Sequence, residues 1–193
     1  MSNLSQEKAR WLRIIAGDAR TAYGKLSRSG TLVLVLEDGR EVGVVFPKSL
    51  FAHLCGFEYY EDKNKTRYAK QERFFDDIVS PDFPASHVDY SHRHSGRGAS
   101  VGKRRENTGK KVEIAASVFE NVDDAEYIVE SAKSGIVIFA GTGEWALGLS
   151  HQKNKRGERL GTFVPISLLK TDVLSPSVCR SGKHLRIVSS YWR

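Results

Sequence analysis

Cysteine is scarce in this chain, with two among 193 residues. Cys55 and Cys179 lie far apart and form no CxxC pair, and Cys55 sits among apolar neighbours. It reads as a small buried hydrophobe in a reducing compartment. Long apolar runs are also missing: none reaches the ~18 residues that a membrane helix needs. The opening MSNLSQEKARWLRIIAG has no continuous apolar core and no small-residue cleavage site, so it does not read as a signal peptide. We therefore expect a cytoplasmic protein with no membrane partner. Apolar content, in contrast, is not low. At 40% hydrophobic and 10% aromatic the chain is too apolar to be wholly disordered, and its length suffices for one domain with a real core.

The charge balance is uneven. The net charge is +7, and residues 91–111 (SHRHSGRGASVGKRRENTGKK) hold seven Lys/Arg against one acid, Glu106. A localised excess of this kind suits a polyanion, with Arg97, Lys103, Arg104 and Arg105 as phosphate contacts. The competing reading is a solvated insertion that binds nothing.

Local patterns give an outline of the fold. Residues 5–23 show helical spacing in Leu12, Ile15, Ala16, Ala19 and Tyr23, with Ser5 placed to cap and Gly24 to stop. TLVLVLE and EVGVVF flank Asp38-Gly39, the signature of a tight hairpin. PKSLFAHLCGF predicts a short helix with Gly56 as its left-handed terminator, and 66–79 a second helix. The basic segment lacks apolar periodicity, and order is expected to resume near Lys111 in another helix. Five β-like segments follow: EYIVESA, GIVIFAG, EWALGLSH, RLGTFVPIS and KHLRIVSSYW. Such close spacing suggests an antiparallel meander. The expectation is a single α+β domain over 1–193: an antiparallel sheet of about four to five strands with N-terminal helices packed on one face. An N-terminal β-hairpin and a long, flexible basic insertion at about 80–110 complete it.

Several chemistries can be set aside. GRGASVGKR is not a phosphate loop, because the first glycine of that motif would fall on Arg97 and Lys103 is followed by Arg104 rather than Ser or Thr. His87, Asp89, His92 and His94 match no established metal spacing, so neither a metal nor another cofactor is expected. There is no GxSxG elbow. RNA cleavage needs none of these, since the 2′-hydroxyl supplies the nucleophile. The protein must offer a base, an acid and groups that receive negative charge. His53 lies in the helix after the hairpin, and His151 ends a strand just before the basic turn Lys153, Asn154, Lys155, Arg156. Ser167 follows GTFVPI. Each has a plain structural alternative: a helix histidine, a loop histidine and a helix cap.

FPKSLFAHLCGF, followed by GEWALGLSHQK and GTFVPISLLK, resembles the phage-associated branch of the barnase–EndoU–colicin–RelE-like nucleases over about 31–75 and 126–170. The resemblance implies a ribonuclease with a small antiparallel sheet and helices against it, encoded by a phage or mobile element as a toxin or effector. It implies His53 of His-Leu-Cys-Gly as general base or acid and Ser167 of Pro-Ile-Ser as a donor to a phosphate oxygen. His151 becomes the second acid/base group, Trp145 a stacking platform for a base, and Lys48 a phosphate contact. The partner would be RNA, with room for a cognate inhibitor protein. The basic insertion has no counterpart in the family pattern. Three readings stay open: a metal-independent endoribonuclease, a non-catalytic module that binds nucleic acid or protein, and an inhibitor or anti-defence protein that recognises a host complex.

Overall fold

Two helices, α1 (Asn3–Ile14) and α2 (Arg20–Leu26), lead the chain and are followed by hairpin strands β1 (Thr31–Leu36) and β2 (Glu41–Val45). Then come α3 (Phe51–Leu54), β3 (Phe57–Tyr59), α4 (Gln71–Asp77), β4 (Val88–Tyr90) and the long α5 (Val101–Glu120). Five strands close the order: β5 (Tyr127–Ser131), β6 (Ile138–Gly141), β7 (Ala146–Lys153), β8 (Arg159–Leu169) and β9 (Cys179–Trp192). This is a computed structural model that describes residues 3–92 and 99–193. It divides into a helical unit, Met1–Gly24 with Lys48–Glu120, and a strand unit, Lys25–Pro47 with Asn121–Arg193. The sequence shows no boundary between them because each unit is assembled from two separate stretches.

In the strand unit the hairpin forms as anticipated, with Gly39 at φ +83° and its N–H bonded to Leu36 O at 2.9 Å. A glycine is needed there because a side chain disfavours positive φ. Strands β5, β6, β7 and β8 are antiparallel neighbours, which matches the meander. The open sheet with helices on one face, however, is corrected. Seven strands close into a barrel in the order β1-β2-β8-β7-β6-β5-β9. The hairpin is part of this barrel rather than an appendage: β1 pairs with β9, and β2 runs parallel to β8 through Gly43–Thr162 and Val44–Phe163. The 14-residue β9 also reaches β5, with a register shift that lets it bend between two neighbours. Closure removes the free edges an open sheet would have to protect.

The strands alternate two faces. Leu32, Leu34, Val44 and Leu149, at most 2% exposed, fill part of the lumen. On the other face Val129, Phe139 and Ala146 pack with Val173 and Val178 from the β8–β9 connection and with Cys179 at the start of β9.

The helical unit is built on aromatic rings. Tyr23 meets Phe119 at 4.9 Å and Phe51 at 5.4 Å, and Phe51 meets Phe75 edge-on at 5.3 Å. β3 and β4 form a two-stranded ladder, Phe57–Tyr90 to Tyr59–Val88, that the sequence did not announce. Helix α5 begins at Val101, not near Lys111, with Ser100 Oγ accepting the Lys103 N–H at 3.2 Å. Cations in the first turns of a helix oppose its dipole, and here two of the three are offset by an acid. Lys103 pairs with Glu106 (3.3 Å), Arg105 with Glu7, and Arg104 Nη1 donates to a ring nitrogen of His92 (2.6 Å).

Asp89, on β4, bridges to Lys65 Nζ at 2.9 Å. Burial pushes its carboxyl up, but hydrogen bonds from Lys65 and the Tyr90 N–H, with the charge of Arg104 nearby, hold it below its ordinary 3.8. A depressed carboxyl adds stability that is present above its unfolded pKa and lost as pH falls through the folded one. Acid titration of the wild type should therefore show a loss below about pH 3.8 that Asp89→Asn lacks. Parallel curves for the two proteins would remove Asp89 as the cause.

Candidate active site

Pro47 leads into a tight turn at Lys48–Leu50 and then α3, which ends where Gly56 takes φ +87°. Thr108 Oγ1 of α5 donates to Gly56 O at 2.9 Å, and Lys111 Nζ donates to His53 O at 3.3 Å. The main chain carrying His53 is thus held to α5. Its half-buried side chain lines a cleft of about 170 Å³ with Ser49, Phe57, Glu58, Tyr68 and Gln71.

Glu58 organises this cleft. It is 7% exposed and accepts Tyr60 OH (2.9 Å), Ser91 Oγ (3.2 Å), His92 N–H (2.9 Å) and, at the long limit, Tyr68 OH (3.5 Å). A buried carboxylate with this many donors around it is geometrically committed, so it positions rather than reacts. Burial, followed by hydrogen bonds to Tyr68 and Glu58, pushes the Tyr60 phenol up and keeps it a donor. Tyr60 also stacks on Tyr68, centroids 4.7 Å apart, which leaves Tyr68 58% exposed at the cleft wall. His53, Ser49 and Tyr68 therefore line one cleft whose base is tied together by Glu58. Glu58, Tyr68 and Gln71 were not identified from the sequence. Their only signal is an acid inside the aromatic run FEYYE, where a solvated glutamate would be out of place.

The other residues singled out from sequence fall elsewhere. Lys48 is engaged, bridging to Asp76 at 3.2 Å with its ammonium 5.0 Å from the Phe75 ring centre. In the barrel, His151 pairs with Phe163 and stacks on it at 4.7 Å, while Ser167 pairs with Gly148. A register shift between Gly148 and Leu149 separates these pairs, and strand alternation puts His151 and Ser167 on opposite faces of the sheet. Ser167 is 2% exposed inside β8, so it neither caps a helix nor meets solvent. Trp145 is 8% exposed, which leaves too little indole to stack a base. Lys103, Arg104 and Arg105 lie on helix α5, the first and last in ion pairs and Arg104 bonded to His92 and Tyr90 O, and Arg97 and His94 lie outside the described residues.

Lys153, Lys155 and Arg156 lie in the strand unit. They are exposed around a turn fixed by Asn154 Oδ1, which accepts the N–H groups of Arg156 (2.9 Å) and Glu158 (3.0 Å), with Gly157 at φ +82°. Together with Arg159 they give the segment 153–159 four cations against one acid, Glu158. Ordered cations on a short hairpin suit phosphate contact better than a mobile tail does.

No family model, curated protein or solved structure matches the chain. Among the described residues no helix is long and apolar enough to cross a membrane.

Proposed function

We propose that this protein cleaves RNA without a metal, using His53 as its acid–base group. The observation that carries this reading is the cleft itself, where a half-buried imidazole stands with Ser49 and Tyr68 on a base fixed by Glu58. Neutral His53 takes the proton of a 2′-hydroxyl as that oxygen attacks the adjacent phosphorus. The hydroxyls of Ser49 and Tyr68 donate to the non-bridging oxygens as charge builds on them. The bond to the 5′-oxygen breaks, the imidazolium returns the proton to it, and a 2′,3′-cyclic phosphate remains. The hairpin cations Lys153, Lys155 and Arg156 add sequence-independent affinity for the phosphate chain.

A second reading, RNA binding without cleavage, is favoured by one observation. His151 and Ser167 lie on opposite faces, so the barrel wall assembles no acid–base pair of its own. Incubating the purified protein with mixed RNA in EDTA decides between them. Cyclic-phosphate ends should accumulate with wild type, and His53→Ala should lower the rate ~100-fold or more. RNA retained intact, with affinity falling steeply in salt, would establish the binding module. Cleavage unchanged in His53→Ala would remove His53 from the chemistry.

A further inference from the structure

β1 and β5 both run antiparallel to β9, and β7 is antiparallel to β6, which is antiparallel to β5. β1, β5 and β7 therefore point the same way, and the turns that follow them lie at one end of the barrel. At that end the lumen is not filled. A cavity of about 670 Å³ opens between Leu36, Val42, Ile128, Ile138, Phe163 and Leu185, one or more from β1, β2, β5, β6, β8 and β9. Cavities of this size hold small molecules, and small closed barrels enclose a single ligand.

The chemistry of wall and rim is divided. The wall is aliphatic with one aromatic ring. The charged side chains that line the cavity, Arg40, Glu130 and Lys183, belong to the β1–β2 turn, to the end of β5 and to β9, whereas His184 pairs with Val129 and turns its ring to Tyr127 on the other face, 5.3 Å between centroids. Arg40 bridges to Asp38 at 2.7 Å and Glu130 faces Arg180 at 3.6 Å, while Glu37, in the same turn as Arg40, accepts the Arg186 N–H at 3.2 Å. The β7–β8 turn brings Lys153, Lys155, Arg156 and Arg159 to the same end. A nucleobase is a poor fit, because its hydrogen-bonding edges would lie unpaired against hydrocarbon. A ligand with an apolar body and a negative head satisfies both regions.

We propose that the barrel binds an amphipathic anion, with a single acyl chain or an apolar body of similar size in the lumen and its carboxylate or phosphate at the cationic rim. This is independent of RNA cleavage and concerns the strand unit alone. Displacement of the fluorescent probe 1-anilinonaphthalene-8-sulfonate from the full chain tests it, with competitors kept below their micelle concentrations. Laurate and dodecyl phosphate should both displace the probe, and the tighter of the two identifies the head group. Dodecanol and dodecyltrimethylammonium should be at least ~10-fold weaker, a difference of about 1.4 kcal/mol or more. Arg40→Gln with Lys183→Gln should weaken only the anions, and Ile138→Trp should abolish all binding at an unchanged melting temperature. Should Ile138→Trp unfold the barrel, Leu185→Trp places the same bulk from another strand. Equal displacement by laurate and the ammonium compound, probe binding that survives both tryptophan variants, or no probe binding at all would overturn the proposal.

Discussion

Phe51→Ala is expected to destabilise the helical unit by about 3–5 kcal/mol, the range for an aromatic side chain removed from a closed core. Phe51 has no exposed surface, and its ring meets Tyr23, Phe75, Phe74 and Phe119 at 5.4, 5.3, 6.1 and 6.3 Å. These partners come from α2, α4 and α5, so alanine opens a void that no single neighbour can cover. The loss is a large share of the 5–15 kcal/mol that ordinarily holds a domain together. Urea unfolding followed by the helical circular-dichroism signal measures it, and Phe51→Leu should cost about 1–2 kcal/mol because volume is largely kept. A loss under about 1 kcal/mol for Phe51→Ala would show that the four rings close over the gap.

Gly141→Ala should cost the barrel about 3 kcal/mol, at the upper end of the range for overpacking. A methyl group built on Gly141 would stand 2.1 Å from Trp145 O and 3.0 Å from Ala146 Cα. Both obstacles are main chain, and they are fixed. Thr142 N–H bonds to Trp145 O at 3.0 Å, and Gly141 O accepts Glu126 N–H at 2.9 Å. The methyl group can be housed only by opening the β6–β7 turn. Gly143, two residues on in the same turn, has nothing within 4 Å of its would-be methyl, so Gly143→Ala should lie within about 0.5 kcal/mol of wild type. Thermal unfolding of the two variants side by side tests the contrast, and equal melting temperatures would refute it.

These two positions also mark what the sequence could and could not convey. The Asp38-Gly39 turn and the five later strands were legible because their cause is local: turn chemistry and β-rich runs. Closure was not, because the partners of the hairpin edges lie at Phe163 and Trp192, and pairing across such distances leaves no periodic trace. The start of α5 was hidden for a related reason. Lys103, Arg104 and Arg105 look like solvated loop when read alone, and the groups that settle them, Glu106 apart, come from Glu7 and His92. At the candidate site, His53 was found by its residue type and its place after the hairpin. Glu58 was missed because a glutamate is read as a surface residue until Tyr60 and Ser91 are seen to surround it. Ser167 shows the opposite error: a residue type suited to phosphate contact lies inside a strand, sealed on the covered face of the barrel.

The interleaving of the two units sets the order in which this protein can form on the ribosome. The β1–β2 hairpin is made early, yet Leu32 pairs with Trp192, 160 positions later. Every residue of the helical unit after Gly24 is synthesised in that interval. Both hairpin edges thus wait unpaired while another unit folds between them, and the final step is closure of a very long loop, which is slow. For a newly made chain the hairpin is the segment most open to pairing with a neighbouring copy. A chaperone that shields residues 31–45 until β9 emerges would raise the yield of folded barrel without touching its stability.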